Sequence, residues 1–169
     1  MDNFPFFRSY KLSPWNIVTM SLYSILSVGM LYYYAYAEFP DKNHIVSYTI
    51  GTHLFLYVFY IKPLRNFKEY LYWLTVAIIH FCFFLYLKDL PGFKMGNGNS
   101  VGNLLRNTLI LLLLFQALRY LSLKIQGQEL DCPSRSPKDK TTFDGRKPTL
   151  IDYLCLVIYL SIWGLLFAI

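Results

Sequence analysis

The sequence predicts an all-α integral membrane protein, a bundle of five transmembrane helices, or of four if one run is re-entrant. Three observations lead there. The 169 residues are 55% hydrophobic and 19% aromatic but only 15% charged, well below the charged share of an average soluble chain. One core of a chain this size has no room for so much apolar surface. The apolar residues are also gathered into five runs of about spanning length, near 17–25 residues. Finally, lysine and arginine concentrate in alternate connections, as the positive-inside rule requires.

The first run, Trp15 to Ala37, follows "SP": Ser13 fits an N-cap and Pro14 the first helical position. Its 23 residues exceed the apolar core of a signal peptide, about 7–15 residues, so a retained span is expected despite the "AYA" before Glu38. The second run is His44 to Ile61 and the third Tyr70 to Leu87, both near the short limit. "PGFKMGNGNS" reads as a loop. The fourth run is Asn103 to Leu123 and the fifth Leu150 to Ile169, the latter with Thr149 as N-cap and Asp152 in capping-box position. Helix is the conformation expected for all five, because an isolated strand leaves backbone groups unsatisfied in lipid. The organisation is therefore 1–14 as an N-terminal segment, 15–123 as four helices, 124–149 as a basic loop and 150–169 as the last helix.

With the N-terminus cytoplasmic, the inner segments hold Arg8, Lys11, Lys62, Arg65, Lys68, Lys124, Arg135, Lys138, Lys140, Arg146 and Lys147. The outer segments hold only Lys42, Lys88 and Lys94. The C-terminus is then outside, and the expected location is a bacterial inner (plasma) membrane. The formal charge of +6 is accounted for by cytoplasm and anionic headgroups, so no direct nucleic-acid partner is expected.

Arg106 and Arg119 stand 13 residues apart in the fourth run, about 20 Å along a helix and about 220° around it. Each must snorkel to its own interface or find a partner within the bundle. Gln116, Arg119 and Ser122 share one stripe, which should face protein. His53 and His80 fall near mid-depth of consecutive spans. Hydrogen-bonded structural histidines are the plain reading. A b-type haem or metal held between them and a proton-relay role are the sharper ones. Thr49, His53, Tyr57 and Tyr60 make a polar stripe, whereas Trp73, Val76, Ala77 and Phe84 around His80 are apolar. Ser21, Ser24, Ser27, Val28 and Gly29 give the first helix a small face suited to close packing. Cys82, Cys132 and Cys155 show neither pairing nor metal-ligand spacing.

The loop from Lys124 to Thr149 carries six basic and four acidic residues and is too short for an enzyme domain. Arg135, Lys138, Lys140, Arg146 and Lys147 are its candidates for contact with a soluble partner or with lipid. Phosphate-binding, zinc-protease and nucleophile-elbow motifs are missing, so no enzyme is expected. The leading expectation is a non-catalytic membrane subunit that forms a homo-oligomer or membrane complex, or anchors a soluble cytoplasmic protein. One setting is a sensor in a prokaryotic defence or stress system, suggested by the Phe-, Tyr-, Ile-, Asn- and Lys-rich composition. The alternatives are an oligomeric channel or transporter lined by His53, Arg106, Gln116 and Arg119, and a haem-binding redox anchor through His53 and His80.

Overall fold

A computed structural model describes residues 10–37, 41–94, 100–131 and 146–168. Among these residues the fold is all-helical, with five long helices: α1 Pro14–Tyr36, α2 Lys42–Phe59, α3 Phe67–Leu87, α4 Asn103–Gln126 and α5 Leu150–Ala168. Short 3-10 turns at Pro63–Arg65 and Pro91–Phe93 join α2 to α3 and begin the link from α3 to α4. Residues 95–99 of the expected Gly/Asn loop lie outside the described residues, but its flanks meet as an isolated Lys94–Ser100 bridge.

The helix starts follow local chemistry. Ser13 caps α1 by accepting from the Asn16 amide, with Pro14 behind it. Asp41 caps α2 through the Asn43 amide, and Asn66 caps α3 through the Lys68 amide. Each cap satisfies a backbone donor that the helix itself leaves unpaired, a stabilisation of about 1 kcal/mol. At the start of α5 the Thr149 amide donates to Asp152 Oδ2 at 2.8 Å, and the Asp152 amide donates back to Thr149 Oγ1 at 3.3 Å. The helix α4 runs to Gln126, three residues past the expected end of its run at Leu123, and ends on Gly127 at φ 64°. That left-handed conformation suits glycine, and the Gly127 amide returns to the Leu123 carbonyl at 3.1 Å.

Consecutive helices run antiparallel. Asn16 and Glu69 meet where α1 and α3 begin, and Tyr60 reaches the Asn16 carbonyl just beyond the end of α2. Asn107, in the first turns of α4, donates to the Leu166 carbonyl near the end of α5 at 2.9 Å. One end of the bundle, here called proximal, therefore gathers the starts of α1, α3 and α5 with the ends of α2 and α4. Among the described residues, Lys11, Lys62, Arg65, Lys68, Lys124, Arg146 and Lys147 of the basic connections fall on this end.

The most enclosed helix is α4, which packs along α3, α5 and α2. Two apolar clusters surround it. The larger includes Trp73, Ala77, Leu112, Phe115 and Leu118; the smaller includes Ile45, Leu87, Val101 and Leu105. Four helices (α1, α3, α4 and α5) are long and apolar enough to cross a membrane. Of the five expected runs, α2 is the one not among these in the described residues: Lys42, Asn43 and His44 in its first turn lower its apolarity most, and the buried Thr49, Thr52 and His53 add to this while facing protein. At 18 residues it is nonetheless about 27 Å long. Trp15, Leu22, Ile25, Leu26 and Tyr32 on α1, and Leu150, Val157 and Leu165 on α5, point outward. Contiguous apolar surface of this extent marks a membrane or an interface.

Candidate functional site

Two buried polar arrays fill the bundle, one at mid-length and one at the proximal end. The mid-length array is a hydrogen-bonded chain through four helices. Ser27 of α1 donates to the Tyr23 carbonyl at 2.8 Å, and its Oγ pairs with the Tyr48 hydroxyl of α2 at 2.7 Å. Tyr48 also pairs with His80 Nε2 of α3 at 2.7 Å. Thr108 of α4 stands between the two histidines, its Oγ1 at 3.3 Å from His80 Nδ1 and 3.0 Å from His53 Nε2.

With both imidazoles taken as neutral, counting hydrogens gives this chain one consistent direction. Ser27 gives its proton to the Tyr23 carbonyl, so Tyr48 must donate to Ser27. The Tyr48 oxygen then accepts from His80 Nε2–H. His80 Nδ1, lacking a proton, accepts from Thr108, and Thr108 accepts from His53 Nε2–H. Both imidazoles are neutral in this assignment, and each tautomer follows from its partners. His53 Nδ1 ends the chain as a bare acceptor, buried and without a hydrogen-bond partner. The space between the imidazoles is occupied by the Thr108 hydroxyl, which would have to leave before a haem iron or metal bridged them.

Small cavities flank this chain. One of about 190 Å³ lies toward the distal end, lined by Ser27, Met30, Tyr48 and His80 among others. The other, of about 30 Å³, lies toward the proximal end between α2, α4 and α5, and touches His53, Thr108, Asp131 and Asp152. It has room for one water.

The proximal array pairs three arginines with three carboxylates. Arg119 is 1% exposed and binds both oxygens of Glu129, Nε to Oε2 and Nη2 to Oε1, each at 2.7 Å. Arg65 binds Asp131 at 2.8 Å. Arg146 holds both oxygens of Asp152, at 2.7 and 2.8 Å, and donates to the Glu129 carbonyl at 2.9 Å. The Asp131 amide reaches Asp152 Oδ1 at 3.3 Å, which links the second pair to the third. Ser122 and Gln126 close the array: Ser122 donates to the Gln128 carbonyl, and Gln126 donates to Ser122 at 2.6 Å. Two-point geometry and backbone donors of this kind are what allow charges to be buried.

These positions bear directly on the residues singled out from sequence. The Gln116–Arg119–Ser122 stripe faces protein: the three residues are 8%, 1% and 0% exposed. Arg119 does not snorkel, because Gly127 turns the chain and brings Glu129 back to it. Gln116 Oε1 is buried without a partner. Arg106 lies at the other end of α4, half-buried, with its guanidinium carbon 5.8 Å from the centre of the Phe84 ring. Arg146, expected to contact a partner or lipid, is turned inward onto Asp152, while Lys147 is exposed. Arg135, Lys138, Lys140 and Cys132 lie outside the described residues. Ser24 and Ser27 pack against Tyr72 and Tyr48, but Ser21, Val28 and Gly29 are exposed, so the close-packed face of α1 is narrower than its small residues imply. His53 and His80 are brought together, and Arg106 stays apart from both arrays.

Thr108, Tyr48, Glu129 and Asp131 were not singled out in the sequence, and Arg65 was counted only among the inner basic residues. A signal existed for Thr108, which continues the Gln116–Arg119–Ser122 stripe two to three turns earlier along α4. No family model, no curated protein and no solved structure matches the chain.

Proposed function

We propose that this chain is a non-catalytic, polytopic membrane protein that holds the segment between α4 and α5 at the cytoplasmic face for a soluble partner. Its proximal end faces the cytoplasm, and α2 crosses with the other four helices, shielded by them. One observation carries the reading. Both ends of that segment are locked into the bundle by the three arginine–carboxylate pairs, Glu129 and Asp131 on one side and Arg146 on the other. A segment anchored at both ends reports any shift of the helices that hold it, which suits a scaffold or sensor and fits the defence or stress setting.

The experiment replaces residues 132–145 by a glycine–serine linker of equal length, which leaves every clamp residue in place. Detergent extracts of the native host are then captured through a tag at the C-terminus. A soluble protein held in fixed ratio by the full chain and lost with the linker supports the proposal. Identical captures would sink it.

A second reading, a proton conduit, is favoured by the Ser27–Tyr48–His80–Thr108–His53 chain and by the cavities at either end of it. Hydrogen-bonded hydroxyl and imidazole groups hand protons on by exchanging donor and acceptor roles. Proteoliposomes carrying an internal pH dye test this. Acidification that is fast with the wild type and slow with Thr108→Val supports it, and equal rates dismiss it.

A further inference from the structure

The cavity of about 190 Å³ beside the mid-length chain is enclosed by α1, α2, α3 and α4. Its walls are hydrocarbon and aromatic: Met30 and Leu31 of α1, Ile45 of α2, Val76 and Phe83 of α3, and Leu105 of α4. Val28 of α1 and Ile79 of α3 also line it and are themselves exposed. The opening therefore lies between those two helices, on the outward apolar surface of the bundle.

Four lining residues are polar, Ser24, Ser27, Tyr48 and His80. None offers a spare proton. Ser24 donates to the Met20 carbonyl at 2.9 Å and Ser27 to the Tyr23 carbonyl at 2.8 Å. In the direction given above, Tyr48 donates to Ser27 and His80 Nε2–H donates to Tyr48. A ligand that needs a donor finds none here, and burying an acceptor without one is costly. Water is poorly served for the same reason. An apolar cavity of about 150 Å³ stays dry and takes benzene, and this one is slightly larger. Its walls also suit a ring. Tyr48 and His80 stand edge to face at 5.3 Å, and Met30 supplies a thioether, a good partner for an aromatic edge.

We propose that this cavity binds an uncharged hydrocarbon group of about single-ring size, without hydrogen-bonding acceptors, which enters between α1 and α3. Such a group has two sources, a free lipophilic molecule or the acyl chain of a membrane lipid. An occupant packs α1 onto α2 and α3, where the hydroxyl pairs Tyr23–Thr52, Ser24–Tyr72 and Ser27–Tyr48 already tie it. Filled, the cavity bars water from the distal end of the hydrogen-bonded chain. The proposal does not rest on the soluble-partner reading, because no lining residue belongs to the proximal array or to the segment it clamps.

The full chain is purified in detergent, stripped of lipid and titrated with fluorobenzene, followed by the fluorine resonance of the probe. A saturable change at one molecule per chain is expected. Fluoropyridine has the same shape but carries an acceptor nitrogen. At equal concentration within the micelle it should bind about tenfold more weakly, the worth of one unmade hydrogen bond. Val76→Phe places a ring in the cavity and should abolish binding, with the thermal midpoint of the probe-free variant as the check on folding. If that variant misfolds, Leu31→Ala decides, because it enlarges the cavity from a half-buried position and should bind fluoronaphthalene more tightly than the wild type does. Native mass spectrometry of the unstripped chain separates the sources. A phospholipid that is retained and then displaced by fluorobenzene assigns the acyl chain, and probe binding to a chain that retains no lipid assigns the free molecule. No saturable change overturns the proposal, as do equal binding of the two probes, a folded Val76→Phe that binds like the wild type, or an unaltered preference in Leu31→Ala. Failure to capture a soluble partner leaves each of these outcomes as it stands.

Discussion

Arg119 closes on Glu129 through two 2.7 Å contacts made by different guanidinium nitrogens, although α4 ends between the two residues. The pair is asymmetric: the arginine side chain is 2% exposed and the glutamate 28%. Removing the glutamate takes both of these contacts from a buried cation. Glu129→Ala should therefore lower stability by about 3 kcal/mol, the low end for a broken buried pair. Arg119→Met should cost less, because its apolar stem keeps the packing and the orphaned glutamate can turn to water. Unfolding in detergent, followed by tryptophan fluorescence, checks the order of the two losses. Equal or reversed losses would show that the pair lies in a wetter place than its burial indicates.

Gly127 makes that pair possible, since its φ of 64° turns the chain back toward α4. A side chain would meet no neighbour there, so the cost of substitution is conformational alone. Gly127→Ala should destabilise by about 1 kcal/mol and Gly127→Asn by less, because asparagine tolerates the left-handed region. The same unfolding assay ranks them, and an alanine variant as stable as the wild type would contradict the assigned backbone.

Arg146 and Asp152 should behave as one unit. Asp152 accepts from Arg146, from the Thr149 amide and hydroxyl, and from the Asp131 amide, so either single substitution leaves partners unsatisfied. The double-mutant cycle of Arg146→Met and Asp152→Ala should give a coupling above about 1 kcal/mol. Additive losses would place Arg146 in solvent, free for the partner or lipid contact that the sequence suggested for it.

Much of this architecture was legible from local pattern, and the two arrays were not. The serine–proline start of α1 and the Thr149–Asp152 capping box act within four residues, so the sequence displays them directly. The charged array joins residues as far apart as Arg65 and Asp131. No periodicity announces such a pairing, and Glu129 and Asp131 read simply as polar loop. For Arg119 the sequence left open an interface or a partner within the bundle, and the turn at Gly127 supplies the partner, Glu129. Glu69, just before the apolar run from Tyr70, carried no signal of its burial. His53 and His80 were recognisable as a pair at similar depth. Their link was not, because a threonine in a helix ordinarily bonds its own backbone, as Thr49 does with the Ile45 carbonyl.

Thr108 separates the plain reading of the histidines from the sharper ones. Thr108→Val preserves shape and removes the hydroxyl shared by His53 and His80, leaving two buried ring nitrogens without partners. A loss of about 1–3 kcal/mol is expected, with Thr108→Ser close to wild type. A valine variant of unchanged stability would mean that water or side-chain rearrangement already serves both rings.

The membrane orientation has the most direct test. Lys62 stands just before the Pro63–Arg65 turn that leads into α3, and Lys88 is the C-cap of α3, so the two lysines stand at opposite ends of the bundle. In a background of Cys82→Ala, Cys132→Ser and Cys155→Ala, Lys88→Cys should react with a membrane-impermeant maleimide on intact cells. Lys62→Cys should react only after permeabilisation. The 21 residues of α3 give about 31 Å of helix between them, enough for the hydrocarbon layer. Inverted labelling would reverse the orientation and put the clamped segment outside, away from any cytoplasmic partner. Labelling of both sites on intact cells would mean that α3 does not cross at all, and the outward apolar faces of α1 and α5 would then have to be covered by protein.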